Sequence, residues 1–84
     1  MRPAVRVFTL YTRAGCTLCD EMAGAVRPPI EAAGHRLQAV DVDADPALKA
    51  RYGWDVPLLF EGDAEICRHF ADPAALAERL AVSP

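Results

Sequence analysis

AVRVFTLYTRAGCTLC, residues 4–19, is the stretch whose reading decides the fold. Residues 4–11 are rich in β-branched and aromatic side chains, nearly all of which can be buried on one face or the other, as in a central strand. Ala14-Gly15 punctuates that run. From Cys16 onward Met22, Ala23, Val26 and Ile30 recur at helical spacing, so a helix begins near Cys16. Pro28-Pro29 lacks two amide donors and crowds the preceding turn, which predicts a kink or restart there and an end at Gly34.

Working outward, His35 to Asp43 has a strand-like pattern carried by Leu37, Ala39 and Val40-Asp41-Val42. Asp43-Ala44-Asp45-Pro46 matches a cap followed by proline in a first helical turn, giving a short helix to about Tyr52 that ends at Gly53. Val56 to Phe60 forms a third strand opened by Pro57, and Glu61-Gly62-Asp63 turns into a fourth strand through Phe70. Asp72-Pro73 caps a last helix, Ala74 to Ala81. The order βαβαββα contains no linker or repeat and predicts one α/β domain over residues 1–84, with a right-handed parallel crossover in its first βαβ unit.

Composition narrows the function classes. Of the 84 residues 52% are hydrophobic, but sixteen of these are alanines, so the core rests on a few Val, Leu, Ile and Phe. The net charge is −3 and the basic residues are scattered singly, which argues against nucleic acid as a partner. After the first strand the longest run of large apolar residues is Leu58-Leu59-Phe60, far below the roughly 18 that a membrane span needs. Arg2 and Arg6 precede an alternating pattern with no apolar stretch or cleavage site of a leader, so a cytoplasmic protein is expected, and separately a monomer. In a reducing compartment three cysteines, two of them close together, point to redox chemistry or metal binding.

Cys16-Thr17-Leu18-Cys19 falls where the first strand gives way to its helix. Residues three apart in a helical turn share a face at about 5–6 Å, within the reach of a disulfide, so the pair can open and close. The free amides and macrodipole of a helix N-terminus favour negative charge and lower the pKa of the first thiol below its free value of about 8.5. Cys16 is therefore the expected nucleophile and Cys19, deeper in the turn, the resolving thiol. Asp20 and Glu21 suit the same dipole and are read as structural.

With those residues on the page, the whole chain resembles the thioredoxin-fold superfamily, and within it the small glutaredoxins and glutaredoxin-like proteins. The resemblance is carried by a first strand ending Leu-Tyr-Thr-Arg, by Ala-Gly-Cys-Thr-Leu-Cys, by Val56-Pro57 and by a closing helix after a β-hairpin. It implies a thioredoxin-like α/β fold, a four-stranded mixed sheet flanked by helices, and a thiol–disulfide oxidoreductase that reduces protein or glutathione mixed disulfides. It also implies a cis Val56-Pro57 bond beside Cys16, with the backbone at Val56 and Pro57 pairing with an extended substrate. Arg13 stands where glutaredoxins commonly carry a basic residue that lowers the thiolate pKa and meets a glutathione carboxylate. No bound cofactor is implied. Glutathione is a possible co-substrate, the partners are disulfide-containing proteins, and the electron donor is glutathione or a thioredoxin-reductase-type enzyme.

The chain departs from the glutaredoxin pattern at two places. Thr17-Leu18 stands where Pro-Tyr is usual, and Ile66 is followed by Cys67-Arg68-His69-Phe70 where Gly-Gly-x-Asp offers amides and an acid to glutathione. A rival reading joins the cysteine pair to Cys67 and His69 on one strand face as a zinc site, and another keeps the fold as a non-catalytic adaptor. Cys67 alone reads as a core thiol, His35 as a helix-end cap and His69 as a solvated strand position. Asp41, Asp43 and Asp45 alternate like a calcium loop, but Pro46 and Tyr52 replace its glycine and glutamate, leaving a solvated strand end and a cap. Tyr11 and Trp54 are each open to packing or to flanking the cysteines.

Overall fold

The computed structural model describes residues 4–82. β1 (Val7–Thr12) leads into α1 (Thr17–Ala32), which returns the chain to β2 (Arg36–Asp41). A 3₁₀ turn (Val42–Ala44) and α2 (Pro46–Tyr52) precede the hairpin of β3 (Leu58–Glu61) and β4 (Ala64–Arg68), and α3 (Pro73–Ala81) follows. The sheet order is β2-β1-β3-β4, with β1 parallel to β2 and antiparallel to β3. This is the mixed four-stranded sheet of a thioredoxin-like fold, in the expected βαβαββα order with the 3₁₀ turn added.

Local chemistry explains the element ends. Asp45 accepts the Ala47 amide at 2.8 Å and Asp72 that of Ala75 at 3.0 Å, each just before a proline in the first helical turn. Gly62 takes the left-handed φ of 57° that the hairpin turn requires. The first strand begins at Val7 rather than Ala4, and the fourth ends at Arg68 rather than Phe70 because His69 adopts a φ of 66° and turns the chain away. No break occurs at Pro28-Pro29, and α1 runs through them to Ala32. Both prolines face solvent, while Cys19, Met22, Val26 and Ile30 form one buried stripe that continues past them. Packing of that stripe outweighs the lost backbone bonds.

The stripe meets Phe8, Leu10, Leu59 and Cys67 of the sheet and Leu76 of α3, which together make the main core. Tyr11, next to Leu10 and so on the opposite sheet face, stacks on Tyr52 at 4.6 Å and meets the Phe60 ring edge-on at 5.5 Å, so its role is packing beneath α2.

At the end of the sheet where β1 starts, Arg6 is 7% exposed and its guanidinium holds together the Glu61 carboxylate and three carbonyls, those of Arg79, Leu80 and Val82. It forks onto Glu61 through two bonds of 2.5 Å and donates to the Arg79 and Val82 carbonyls at 2.9 Å, satisfying the last turn of α3. Arg79 adds a 2.6 Å bond to the same carboxylate. The Arg6 amide donates to His35 Nδ1 at 3.1 Å, so the imidazole accepts from the chain before β1, while it is the His35 backbone amide that bonds the Ile30 carbonyl at the end of α1, at 3.1 Å.

Hydrogen bonds from Arg6, reinforced by Arg79, hold the Glu61 carboxyl down at about 2 against an ordinary 4.5. A depressed carboxylate contributes stability that is complete above its unfolded pKa and is lost as pH falls through the folded one. Stability of the whole protein should therefore drop between about pH 4.5 and pH 2. In Glu61→Ala that acid step should shrink, and chemical denaturation near neutrality should show a loss of about 3 kcal/mol because Arg6 is left buried and unpaired.

Candidate active site

Cys16 and Cys19 are joined as a disulfide at the head of α1, with Cα atoms 5.2 Å apart. Cys16 is the N-cap residue, in extended conformation, and its Sγ accepts the Cys19 amide at 3.1 Å. The preceding turn is made by Gly15 at φ 71°, a conformation that costs glycine little. The two sulfurs are unequal: Cys16 is half-buried, whereas Cys19 is 1% exposed within the stripe that packs on the sheet. An incoming molecule can reach only the first. When the bond opens, the amide already aimed at Cys16 Sγ and the head of a sixteen-residue helix both favour charge on that sulfur.

Register brings two further loops to the same end of the sheet. Tyr11 pairs with Leu58, so Pro57 lies one step beyond, opposite the end of β1. Leu58 pairs with Arg68, which places His69 beside Pro57, and the His69 amide donates to the Pro57 carbonyl at 2.7 Å. The Val56-Pro57 bond is cis, and Pro57 is buried while Val56 is partly accessible. The loops 13–16, 53–57 and 69–72 thus share one rim.

Arg13 is on that rim, and its guanidinium is engaged within the chain. Nε and Nη2 fork onto the Asp43 carboxylate at 2.8 and 3.0 Å, and Nη1 donates to the Gly53 carbonyl at 3.0 Å. That hydrogen-bonded cation holds the Asp43 carboxyl below the usual carboxylate range. Arg13 therefore links the turn before Cys16 to the 3₁₀ turn and to the end of α2. Asp43, read from the sequence as a solvated strand end, is its partner. Asp41 instead accepts the Asp43 amide at 2.9 Å, which fixes that carboxylate in place.

The remaining candidates lie apart. Cys67 packs in the core, where burial raises its thiol pKa. His69, expected on the strand face with Cys67, lies past the strand end and turns its Nε2 to within 3.3 Å of Asp55 Oδ1. The convergence that a zinc site needs is not formed, and no cluster of three or more His, Cys, Asp or Glu side chains among the described residues is placed to hold a metal ion. Asp55, unremarked in the sequence, also takes Arg68 at 3.6 Å, so the segment before Pro57 is pinned by charges from the end of β4. Trp54 does not pack: it is 95% exposed. No helix among the described residues is long and apolar enough to cross a membrane.

Comparison with known proteins agrees with this geometry. A family model described as a glutaredoxin-like domain (DUF836) matches residues 7–81. The solution structure of protein Ne2328 from Nitrosomonas europaea is similar over 96% of this chain and 98% of its own, with 29% identity and a TM-score of 0.82. The X-ray structure of protein XcR50 from X. campestris is similar over 92% and 99%, with 32% identity and a TM-score of 0.70. A malarial protein, 19% identical over 94% and 100% with a TM-score of 0.62, shares the fold. No curated protein matches the chain.

Gly53, whose carbonyl Arg13 holds, has helical backbone and closes α2. There alanine ordinarily stabilises by about 0.4–1 kcal/mol. A Cβ at Gly53, however, would overlap the Lys49 carbonyl oxygen and stand 3.2 Å from Arg13 Nη2. Gly53→Ala should instead destabilise by about 1–3 kcal/mol, a sign that thermal denaturation of the two proteins will reveal.

Proposed function

The chain belongs to the glutaredoxin-like domain family, and from that premise we propose that it is a thiol–disulfide oxidoreductase that reduces polypeptide or glutathione mixed disulfides with the Cys16–Cys19 dithiol. The observation that carries the reading is the inequality of the pair: an accessible sulfur capped by an amide at a helix head, bonded to a buried one a turn deeper. A structural staple needs no such asymmetry. A nucleophile and its resolving partner do.

In the reduced protein the Cys16 thiolate attacks one sulfur of a substrate disulfide. A bond forms between Cys16 and that sulfur, the substrate bond breaks, and the departing thiolate takes a proton from water. The Cys19 thiol then loses its proton and attacks Cys16 Sγ, closing the intramolecular disulfide and expelling the second substrate sulfur as a thiol. Two electrons pass from the dithiol to the substrate. An external thiol donor, glutathione or a reductase-type partner, returns them by the reverse exchange. Val56 and Pro57, on the rim beside the pair, would bind the substrate backbone, and Arg13 would hold the rim in shape and contribute positive charge.

Cys16→Ser should abolish reduction of a disulfide substrate. Cys19→Ser should keep the first step and stop at a mixed disulfide, visible by mass spectrometry as an adduct on Cys16. Full turnover by the Cys16 variant would contradict the assignment.

A further inference from the structure

The rim that holds the redox pair also carries exposed apolar surface from three separate segments. Leu18, between the cysteines, is 38% exposed, Phe70 in the loop before α3 is 68% exposed, and Trp54 in the loop before β3 is 95% exposed. The other large exposed apolar residues among those described, Val5, Val7 and Val82, belong to the opposite end, where β1 starts and α3 ends. A tryptophan almost wholly in water leaves roughly 150–250 Å² of surface unburied, which is the side chain that most often anchors a protein interface. Trp54 also walls a recess of about 210 Å³ with Gly53, Lys49 and Arg13.

The sulfur on the same rim says what covers this surface, since the partner must bring a disulfide to Cys16. The surroundings say which kind. The Arg13 guanidinium, three residues before the nucleophile, already spends its bidentate fork on Asp43. A small disulfide that relies on its carboxylates finds that fork taken, whereas a chain with bulky apolar side chains finds Trp54, Phe70 and Leu18 free. Resting on the oxidoreductase reading above, we propose that this rim docks a polypeptide disulfide whose cysteine is flanked by large apolar side chains, in preference to glutathione disulfide. Trp54 is the main anchor and Phe70 the second. The chemical step is the exchange already described, with the polypeptide disulfide as oxidant.

The test measures second-order rates of exchange between the reduced full chain and three disulfides: a symmetrical disulfide of a Gly-Leu-Cys-Phe-Gly peptide, its counterpart with Ser in place of Leu and Phe, and glutathione disulfide. The apolar peptide should react about 10-fold faster than either of the others, and Trp54→Ala should cut its advantage over the serine peptide by about 10-fold. Val5→Ser, at the opposite end, should leave that ratio unchanged. Equal rates for the two peptides, a ratio untouched by Trp54→Ala, or a faster reaction with glutathione disulfide would overturn the docking surface while leaving the dithiol chemistry standing. Failure of all three disulfides to react would instead remove the oxidoreductase reading itself.

Discussion

A single hydrogen bond, from the Cys19 amide to Cys16 Sγ, expresses the constraint on which the site depends. It exists because Cys16 occupies the N-cap of α1, a position that normally calls for an oxygen acceptor. A sulfur there satisfies one of the orphan amides of the helix, and the helix in turn favours charge on the sulfur. The same turn buries Cys19 on the packed side of α1, so the geometry that caps the helix also makes the two thiols unequal.

That helix can serve as a platform only if the sheet beneath it is held. Its stripe of Met22, Val26 and Ile30 is clamped against Phe8 and Leu10, and the prolines that interrupt its hydrogen bonding lie on the solvent side. At the far end Arg6 and Glu61 tie the start of β1 and the end of β3 to the last carbonyls of α3. A buried ion pair of this kind is weak as a source of net stability but intolerant of losing one member, which suits it to fixing where the closing helix sits. The redox end is lined by exposed loops and apolar side chains, the opposite end by a satisfied charge network.

What was legible in the sequence was local. The alternation of residues 4–11, the helical spacing after Cys16, the two Asp-Pro caps and the Gly62 turn each act within a few residues, and the element order follows from them. The cysteine pair was equally plain, because its spacing and its position at a strand-to-helix junction are properties of consecutive residues. What stayed hidden depends on contacts across the fold. Arg13 meets Asp43, thirty residues away, only after β2 has been laid beside β1. The left-handed backbone at His69, which ends β4, is announced by no glycine or turn residue in Arg68-His69-Phe70. Continuity of α1 through Pro28-Pro29 is not legible locally because tertiary packing, not local hydrogen bonding, decides it.

The central claim, that Cys16 is the activated sulfur and Cys19 its buried reserve, is tested most directly by alkylating the reduced protein at a series of pH values and locating the label by mass spectrometry. The account predicts that Cys16 reacts first, with a midpoint clearly below the roughly 8.5 of a free thiol, while Cys19 stays protected. A midpoint at or above that value, or label arriving first on Cys19, would contradict it.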